Sequence, residues 1–395
     1  MLGKLPPVGT PVPLTRVLAA LPGSRAWRKA CPLEAAFREV TGRRHALAVG
    51  SGRMAIALLL SALAERDGRE RVVIPGWTCY TVAAAIARAG LAIEPADSDP
   101  ATLDFDYARL EDRDWSRVLA IIPSSLLGFP ADLPRLERLC REKGVHLIDD
   151  AAQSLGARIG GRACGTFGIA GIYSLGRGKN LSAMGGGVLV TDDDDLDARL
   201  RERAAEARVG AGSASFLRSA VYSVALHPAL YGAAVRLVEV GVSRFDLRFQ
   251  FSVPSGFKRS LAARLVPGLP AVTAARVAAA RHYAELLAGH GGIVPVAAHP
   301  GAEPAYLRYP VLVTPAARGR VYHRLAREGL GAAVMYPEPV HRIPGVSAHL
   351  AERSADLPGA DRLARSLLTL PTHPFATAKH RERIAAILRD GVRQE

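Results

Sequence analysis

Residues 146–180 read HLIDDAAQSLGARIGGRACGTFGIAGIYSLGRGKN. The stretch opens on a short apolar run that ends in two consecutive acids, Asp149 and Asp150. It closes on one lysine, Lys179, in a glycine-containing turn after the β-rich run GIYSL. Two carboxylates at the end of a buried strand are costly unless each finds donors or a cation. They can cap a helix, or one can face a cationic heterocycle or a metal. No histidine or third acid lies nearby at ligand spacing, so metal is the weaker reading and none is expected. The lysine stands out because only six of the 51 basic residues are lysine (Lys4, Lys29, Lys143, Lys179, Lys258, Lys379). Arginine can replace a solvated charge, but it does not readily lose a proton to act as an amine nucleophile.

Outward from this stretch, residues 45 to about 195 alternate short β-branched runs with helical patterns. HALAVGSG leads into RMAIALLLSALAERDG, RVVIP into YTVAAAIARAG, and VLAIIP into LPRLERLCREKG; VHLID, GIYSL and GGVLVTD follow. This alternation predicts a largely parallel sheet covered by helices on both faces. Ligands of such sheets gather where the strand carboxyl ends open into loops. After Asp197 the chain turns arginine-rich, then apolar, then irregular, and from about Ala271 it reads as a smaller α+β unit. The expected organisation is an N-terminal arm (1–34), a large domain (35–255) with an apolar helical segment (215–245), and a small C-terminal domain (256–395). No linker or internal repeat separates them, which predicts close packing.

A chain of 395 residues, 49% hydrophobic and 22% charged, is long enough for two domains around large cores. The formal net charge is +14, which suits solubility or attraction of anions. It does not predict nucleic-acid binding, because the basic residues are scattered and zinc-finger spacing, a basic helix and aromatic-interleaved basic strands are all missing. Four separated cysteines without a C-x-x-C pair fit a reducing cytoplasm. The start, MLGKLPPVGTPVPLTR, lacks the apolar core of a signal peptide and reads as an extended arm. The longest uncharged apolar run, Ser219 to Val235, is 17 residues with His227 and Pro228 inside. That falls short of a spanning helix and predicts a buried helical hairpin, with attachment to a membrane surface or partner as the alternative.

Gly50, Ser51 and Gly52 join a strand to a helix, where backbone amides and small residues form an anion site. A tight turn explains the same glycines. Arg53 either adds charge to that anion or points to solvent. For Lys179 the bland alternative is an exposed loop lysine. Together with the acids and the glycine turn, however, it completes the parts that a pyridoxal phosphate enzyme requires. These are an amine for the cofactor aldehyde, a carboxylate for the pyridine nitrogen, an aromatic cover (Trp77 in PGWTCY) and a phosphate hydroxyl (Ser174).

From about residue 35 to the end the chain resembles the DegT-type sugar aminotransferases, which are fold type I pyridoxal phosphate enzymes. The likeness is densest at SGRMAIALLL (51–60), VVIPGWTCYTVAAAI (72–86), DDAAQSLGA (149–157) and YSLGRGKN (173–180), and it continues in YLRYPVLV (306–313) and LLTLPTHP (367–374). The resemblance implies that fold, with Lys179 as the imine lysine and proton carrier and Asp150 as partner of the pyridine nitrogen. It also implies Gln153 on the ring-hydroxyl side, Ser174 with Ser51, Gly52 and Arg53 around the phosphate, and Trp77 stacked on the ring. It further implies a homodimer with shared sites. The implied reaction moves an amino group from glutamate to a keto-sugar or sugar-like acceptor, in cell-surface polysaccharide or secondary-metabolite biosynthesis.

The chain departs from the family pattern at several places. Members usually have threonine at Arg53, histidine then Leu-Tyr-Gly at Ser125 to Gly128, aspartate at Ile169 and an acid at Gly185. The asparagine-bearing loop that reaches a neighbouring site is not evident in SGFKRSLAAR. These changes leave the cofactor residues in place and fall on substrate-facing positions. They keep open a dehydratase, decarboxylase or carbon–carbon bond-forming enzyme on the same fold, and a non-catalytic binding protein.

Overall fold

Seven short apolar runs assemble into one sheet in the computed structural model, which describes residues 3–21, 32–210, 212–227, 229–232, 245–352 and 356–393. The strands are β1 (His45–Val49), β2 (Arg71–Pro75), β3 (Ala92–Ala96), β4 (Val118–Ile121), β5 (His146–Asp150), β6 (Ala170–Ser174) and β7 (Gly187–Thr191). Their spatial order is β1-β7-β6-β5-β4-β2-β3. Every neighbouring pair is parallel except those of β7, which runs antiparallel to β1 and β6.

Strand residues divide between two cores by alternation, as a pleated chain requires. Leu47 and Val49 face one cluster, with Met54, Leu59 and Leu63 of the helix Gly52–Asp67 and Ile86 of Tyr80–Arg88. Ala46 and Ala48 face the other, with Phe37 of Leu33–Thr41 and Leu136 of Leu133–Lys143. The sheet is thus covered on both faces, and this is why its strands read as near-continuous apolar runs. The result is the mostly parallel α/β architecture, helices on both faces, that the alternating runs predict.

A second, three-stranded antiparallel sheet joins Val294–Pro295, Arg308–Leu312 and Leu367–Pro371. With the helices Leu269–Leu287, Pro315–Arg327 and Ala378–Val392 it closes a separate core around Tyr283, Val311, Leu325 and Ile384. The helix Gly256–Leu265, which the division after residue 255 gives to the small domain, buries Phe257, Leu261 and Ala262 against the large-sheet cluster instead. Val12 and Val17 of the arm are buried in that cluster as well.

The apolar segment, expected as a buried helical hairpin, is only partly buried among the described residues. Its first part lies in the helix Gly212–Ala225, which buries Tyr222 and Ala225 but leaves Leu217, Val221 and Val224 outward. Residues 228 and 233–235 lie outside the described residues. Among the described residues no helix is long and apolar enough to cross a membrane.

Gly171, inside β6, lies where a Cβ would be 1.8 Å from the carbonyl oxygen of Gly165. Gly171→Ala should therefore lower unfolding stability by at least about 1–3 kcal/mol, as overpacking does. Gly319→Ala, mid-helix with nothing within 4 Å of the added carbon, should raise it by about 0.5–1 kcal/mol. Urea titration of the two variants checks both signs.

Candidate active site

Six of the seven strands point the same way, so their carboxyl ends share one edge of the sheet. A cavity of about 210 Å³ opens there, walled by Ser51 after β1, Cys79 after β2, Ser124 and Ser125 after β4, Asp150 and Gln153 from β5, and Ser174 and Lys179 from β6.

The acid pair separates because consecutive strand residues face opposite sides. Asp149 is fully buried and points away from the cavity, where its Oδ2 accepts from the amides of Gly165 (2.5 Å) and Phe167 (3.3 Å). Burial pushes its pKa up to about 7, and the neighbouring Asp150 adds to the rise. Asp150 lines the cavity, with its Oδ1 accepting from Ala152 N at 3.0 Å. Burial raises its pKa too, opposed by that amide and by the positive charge of Lys179.

At the end of β1, Ser51 caps the helix Gly52–Asp67, its Oγ accepting from Met54 N at 3.3 Å. The first amides of a helix lack intrahelical acceptors and favour an anion. A Cβ on Gly52 would sit 3.6 Å from the Cβ of Ser174, so the glycine brings that hydroxyl against the helix start. Arg53 also lines the cavity, with its guanidinium 4.9 Å from the centre of the Phe249 ring.

Gln153 is held from two sides: its Oε1 accepts from Leu127 N (3.2 Å) and its Nε2 donates to the Tyr336 hydroxyl (3.0 Å). Leu127 and Tyr336 both have positive φ, 57° and 43°, a backbone conformation that non-glycine residues keep only where surrounding contacts impose it. Tyr336 escaped the sequence reading. Its partners lie far away in the chain, and no local pattern marks it.

Trp77 does not cover the cavity. Its ring is fully buried behind the wall, edge-on to Tyr336 at 5.1 Å, with Nε1 donating to the Tyr336 carbonyl at 3.0 Å. The wall residue from this loop is Cys79, the N-cap position of the helix Tyr80–Arg88, with its Sγ 3.0 Å from Thr81 Oγ1. The sequence signal was the start of the helical pattern, two residues after the tryptophan.

The replaced family positions are now visible. Ser125 is buried and its Oγ accepts from Ala131 N at 3.3 Å. Gly185 has a φ of 133°, and a Cβ there would be 3.0 Å from Lys258 Nζ, so an amine faces the place where relatives carry an acid. Ile169 packs against the core. Among the described residues no group of three His, Cys, Asp or Glu side chains could hold a metal.

The model of the DegT/DnrJ/EryC1/StrS aminotransferase family matches residues 23–240 and 260–389. The chain belongs to this family. Its similarity to single members is spread along nearly the whole length. The UDP-N-acetyl-3-dehydro-alpha-D-glucosamine 3-aminotransferase of Acidithiobacillus ferrooxidans is 32% identical over 358 residues, covering 90% of this chain and 87% of that one. The dTDP-3-amino-3,4,6-trideoxy-alpha-D-glucose transaminase of Streptomyces venezuelae is 30% identical over 368 residues, covering 91% and 85%. The solved structure of the aminotransferase TlmJ from Streptoalloteichus hindustanus superposes with a TM-score of 0.78 at 25% identity, covering 99% of this chain and 100% of that one. This DegT-family chain is therefore an aminotransferase.

The two aspartates should respond differently to neutralisation. Between about pH 4 and pH 7 folded Asp149 keeps a proton that the unfolded chain has released, so folding stability falls as pH rises through that window. Asp149→Asn should remove this slope, on the order of 4 kcal/mol over the window, and leave turnover largely intact. Asp150→Asn should keep the fold and lose several orders of magnitude in rate. Urea unfolding at pH 5 and pH 7 beside a turnover assay separates them, and the reverse pattern would exchange their roles.

Proposed function

We propose that this aminotransferase moves an amino group from glutamate to a keto group on a nucleotide-linked sugar, with pyridoxal phosphate as cofactor. One observation carries the reading. A lysine amine, a buried carboxylate and a helix N-terminus, the three anchors that the cofactor needs, wall the same small cavity. The residues fit the group in chemistry as well as in place. Buried Asp150 has one backbone donor and the charge of Lys179 for company, so a protonated ring nitrogen would complete its pairing. Gln153 has one amide hydrogen left for the ring-hydroxyl side. Ser174, the amides after Ser51 and the charge of Arg53 would hold the phosphate.

When bound, the cofactor supplies an electron-accepting ring that makes the substrate carbon acid ionisable. The chain supplies the rest. Lys179 Nζ would hold the cofactor covalently and then act as the base that moves the proton at the substrate carbon. Asp150 would keep the opposite end of the ring cationic. The strained turns at Leu127 and Tyr336 fix Gln153 before any ligand arrives.

The acceptor class rests on the relatives, whose names carry UDP-linked and dTDP-linked sugars. A net charge of +14 favours such anions. Products of this kind feed cell-surface polysaccharide or secondary-metabolite assembly. Among the described residues Cys79, Cys140 and Cys164 form no disulfide, which suits work in the reducing cytoplasm.

We further propose a homodimer whose two sites lie at the subunit interface. Leu217, Val221 and Val224, spaced i, i+4 and i+7, form an outward apolar row, and Leu14 and Leu18 of the neighbouring helix Leu14–Ala19 are also exposed. A row of this kind on a soluble enzyme calls for a cover.

Wild-type protein loaded with pyridoxal phosphate should be yellow, lose its visible absorbance on incubation with glutamate and release 2-oxoglutarate. Borohydride should fix the cofactor mass to the peptide carrying Lys179, and Lys179→Ala should lose both the link and turnover. Fixation elsewhere would overturn the assignment. Sedimentation of the loaded enzyme at micromolar concentration should give about twice the chain mass; a monomer fully active on dilution would refute shared sites.

A further inference from the structure

The residues before the first helix reach the lysine turn. Leu5 N donates to Gly329 O (2.7 Å), and His373 Nε2 lies 2.9 Å from Pro6 O. His373 is buried, and burial pushes its pKa down to about 3. The ring is therefore neutral, and the nitrogen facing Pro6 O is the donor. The arm next touches the active-site turn, where a Cβ on Gly178 would lie 2.5 Å from Val8 Cγ2. Two residues later, Thr10 Oγ1 donates to the carbonyl of Lys179 at 2.5 Å.

The direction of that last bond is fixed by a buried cation. Arg276 Nη2 donates to the same Thr10 oxygen at 3.0 Å, while its Nη1 donates to Leu307 O (2.9 Å) and Thr372 Oγ1 (3.1 Å). A guanidinium can only donate, so the threonine oxygen must accept from it and has one proton left, which goes to Lys179. Serial bonds of this kind polarise one another in a dry interior, and both Thr10 (2% exposed) and Arg276 (1%) are buried. The other side of the lysine peptide is held as well, since Lys179 N donates to Gly176 O at 3.3 Å. Next in the chain, Asn180 Nδ2 donates to Leu155 O at 2.6 Å.

From this chain of contacts we infer that Thr10, oriented by Arg276, is a positioning residue for Lys179. The arm fixes the lysine's carbonyl, and so the direction in which its side chain enters the cavity, and it does this from anchors in the smaller α+β unit. The inference rests on the reading of Lys179 as the cofactor anchor. Thr10→Val keeps the shape and removes the proton, which leaves Lys179 O and Arg276 Nη2 unpaired in the interior; Thr10→Ser restores the hydroxyl.

The test loads apoprotein with pyridoxal phosphate and follows the rate at which borohydride-fixable cofactor appears on Lys179, together with the pH midpoint of the visible absorbance. Thr10→Val is expected to capture cofactor at least tenfold more slowly and to move the midpoint, with Thr10→Ser within about twofold of wild type on both. Capture at the wild-type rate with an unmoved midpoint in Thr10→Val would overturn the inference. Should Thr10→Val not fold, hydrogen–deuterium exchange of wild-type apoprotein decides. Peptides covering residues 5–12 and 176–182 should open at one common rate, and independent rates would sink the strap. The two ideas fail separately, because wild-type cofactor fixed to another lysine defeats the Lys179 reading, whereas wild-type fixation at Lys179 with unaffected Thr10→Val defeats only the strap.

Discussion

The structure turns on the burial of two adjacent carboxylates at the end of β5. A strand sends neighbouring side chains to opposite faces, so the chain must solve two different problems one residue apart. Asp149 is met by backbone on one oxygen: the Gly165–Phe167 turn folds over it and supplies two amides to Oδ2, while its buried Oδ1 has no partner among the described residues, which fits a carboxyl that keeps its proton up to about pH 7. That turn in turn needs Gly171 in the adjacent strand, where a side chain would strike Gly165. Asp150 is solved only in part, with one amide and the nearby charge of Lys179. An incompletely paired acid in a cavity is a poor structural element and a good binding one. The acid enclosed by the turn and the acid that lines the cavity are thus parts of one strand end.

How much of this was legible depended on how local the cause is. Strands buried on both faces produce near-continuous apolar runs, and helix starts produce small capping residues, so the sheet, the Ser51 turn and the loops carrying Asp150, Ser174 and Lys179 could be read from windows of ten residues. Trp77 was misjudged because an aromatic near a cofactor and an aromatic in a core have the same sequence signature. Only its bond to the Tyr336 carbonyl, 259 residues away, decides between them. Gln153 was legible as a site residue, but its orientation by Leu127 and Tyr336 was not. For the apolar segment hydropathy leaves a buried hairpin and a surface attachment both open, because it counts apolar residues and cannot say which of them face a neighbour.

The departures from the family pattern share a direction. Arg53 replaces a usual threonine on the cavity wall, and glycine replaces the usual acid at 185 with the Lys258 amine beside it. Both changes shift charge in the positive direction, Arg53 on the cavity wall itself and Lys258 beside Gly185 outside that wall. Asp150 stands on the same cavity wall as Arg53, so the cavity holds an acid and an added cation together. Electrostatics at this range bear on which anion is held and how tightly, which is where members of one aminotransferase family are free to differ.

Arginine and lysine divide the work by what each can give up. Arg276 and Arg308 are buried with no carboxylate of the described residues in contact, held by carbonyl and hydroxyl oxygens. Burial lowers their pKa values only to about 10 and about 9, so both stay charged at neutral pH and both can only donate. That permanence lets Arg276 dictate where the proton of Thr10 goes. A lysine in the same place would offer a single nitrogen with freely rotating donors and a charge easily lost on burial. Under the proposed reading of Lys179 as the cofactor anchor the requirement at position 179 is the opposite: the side chain would release a proton, bond to carbon and recover the proton, none of which a guanidinium does readily. On that reading an arginine-rich chain uses its permanent cations to hold backbone in place and keeps a lysine where the amine would change state.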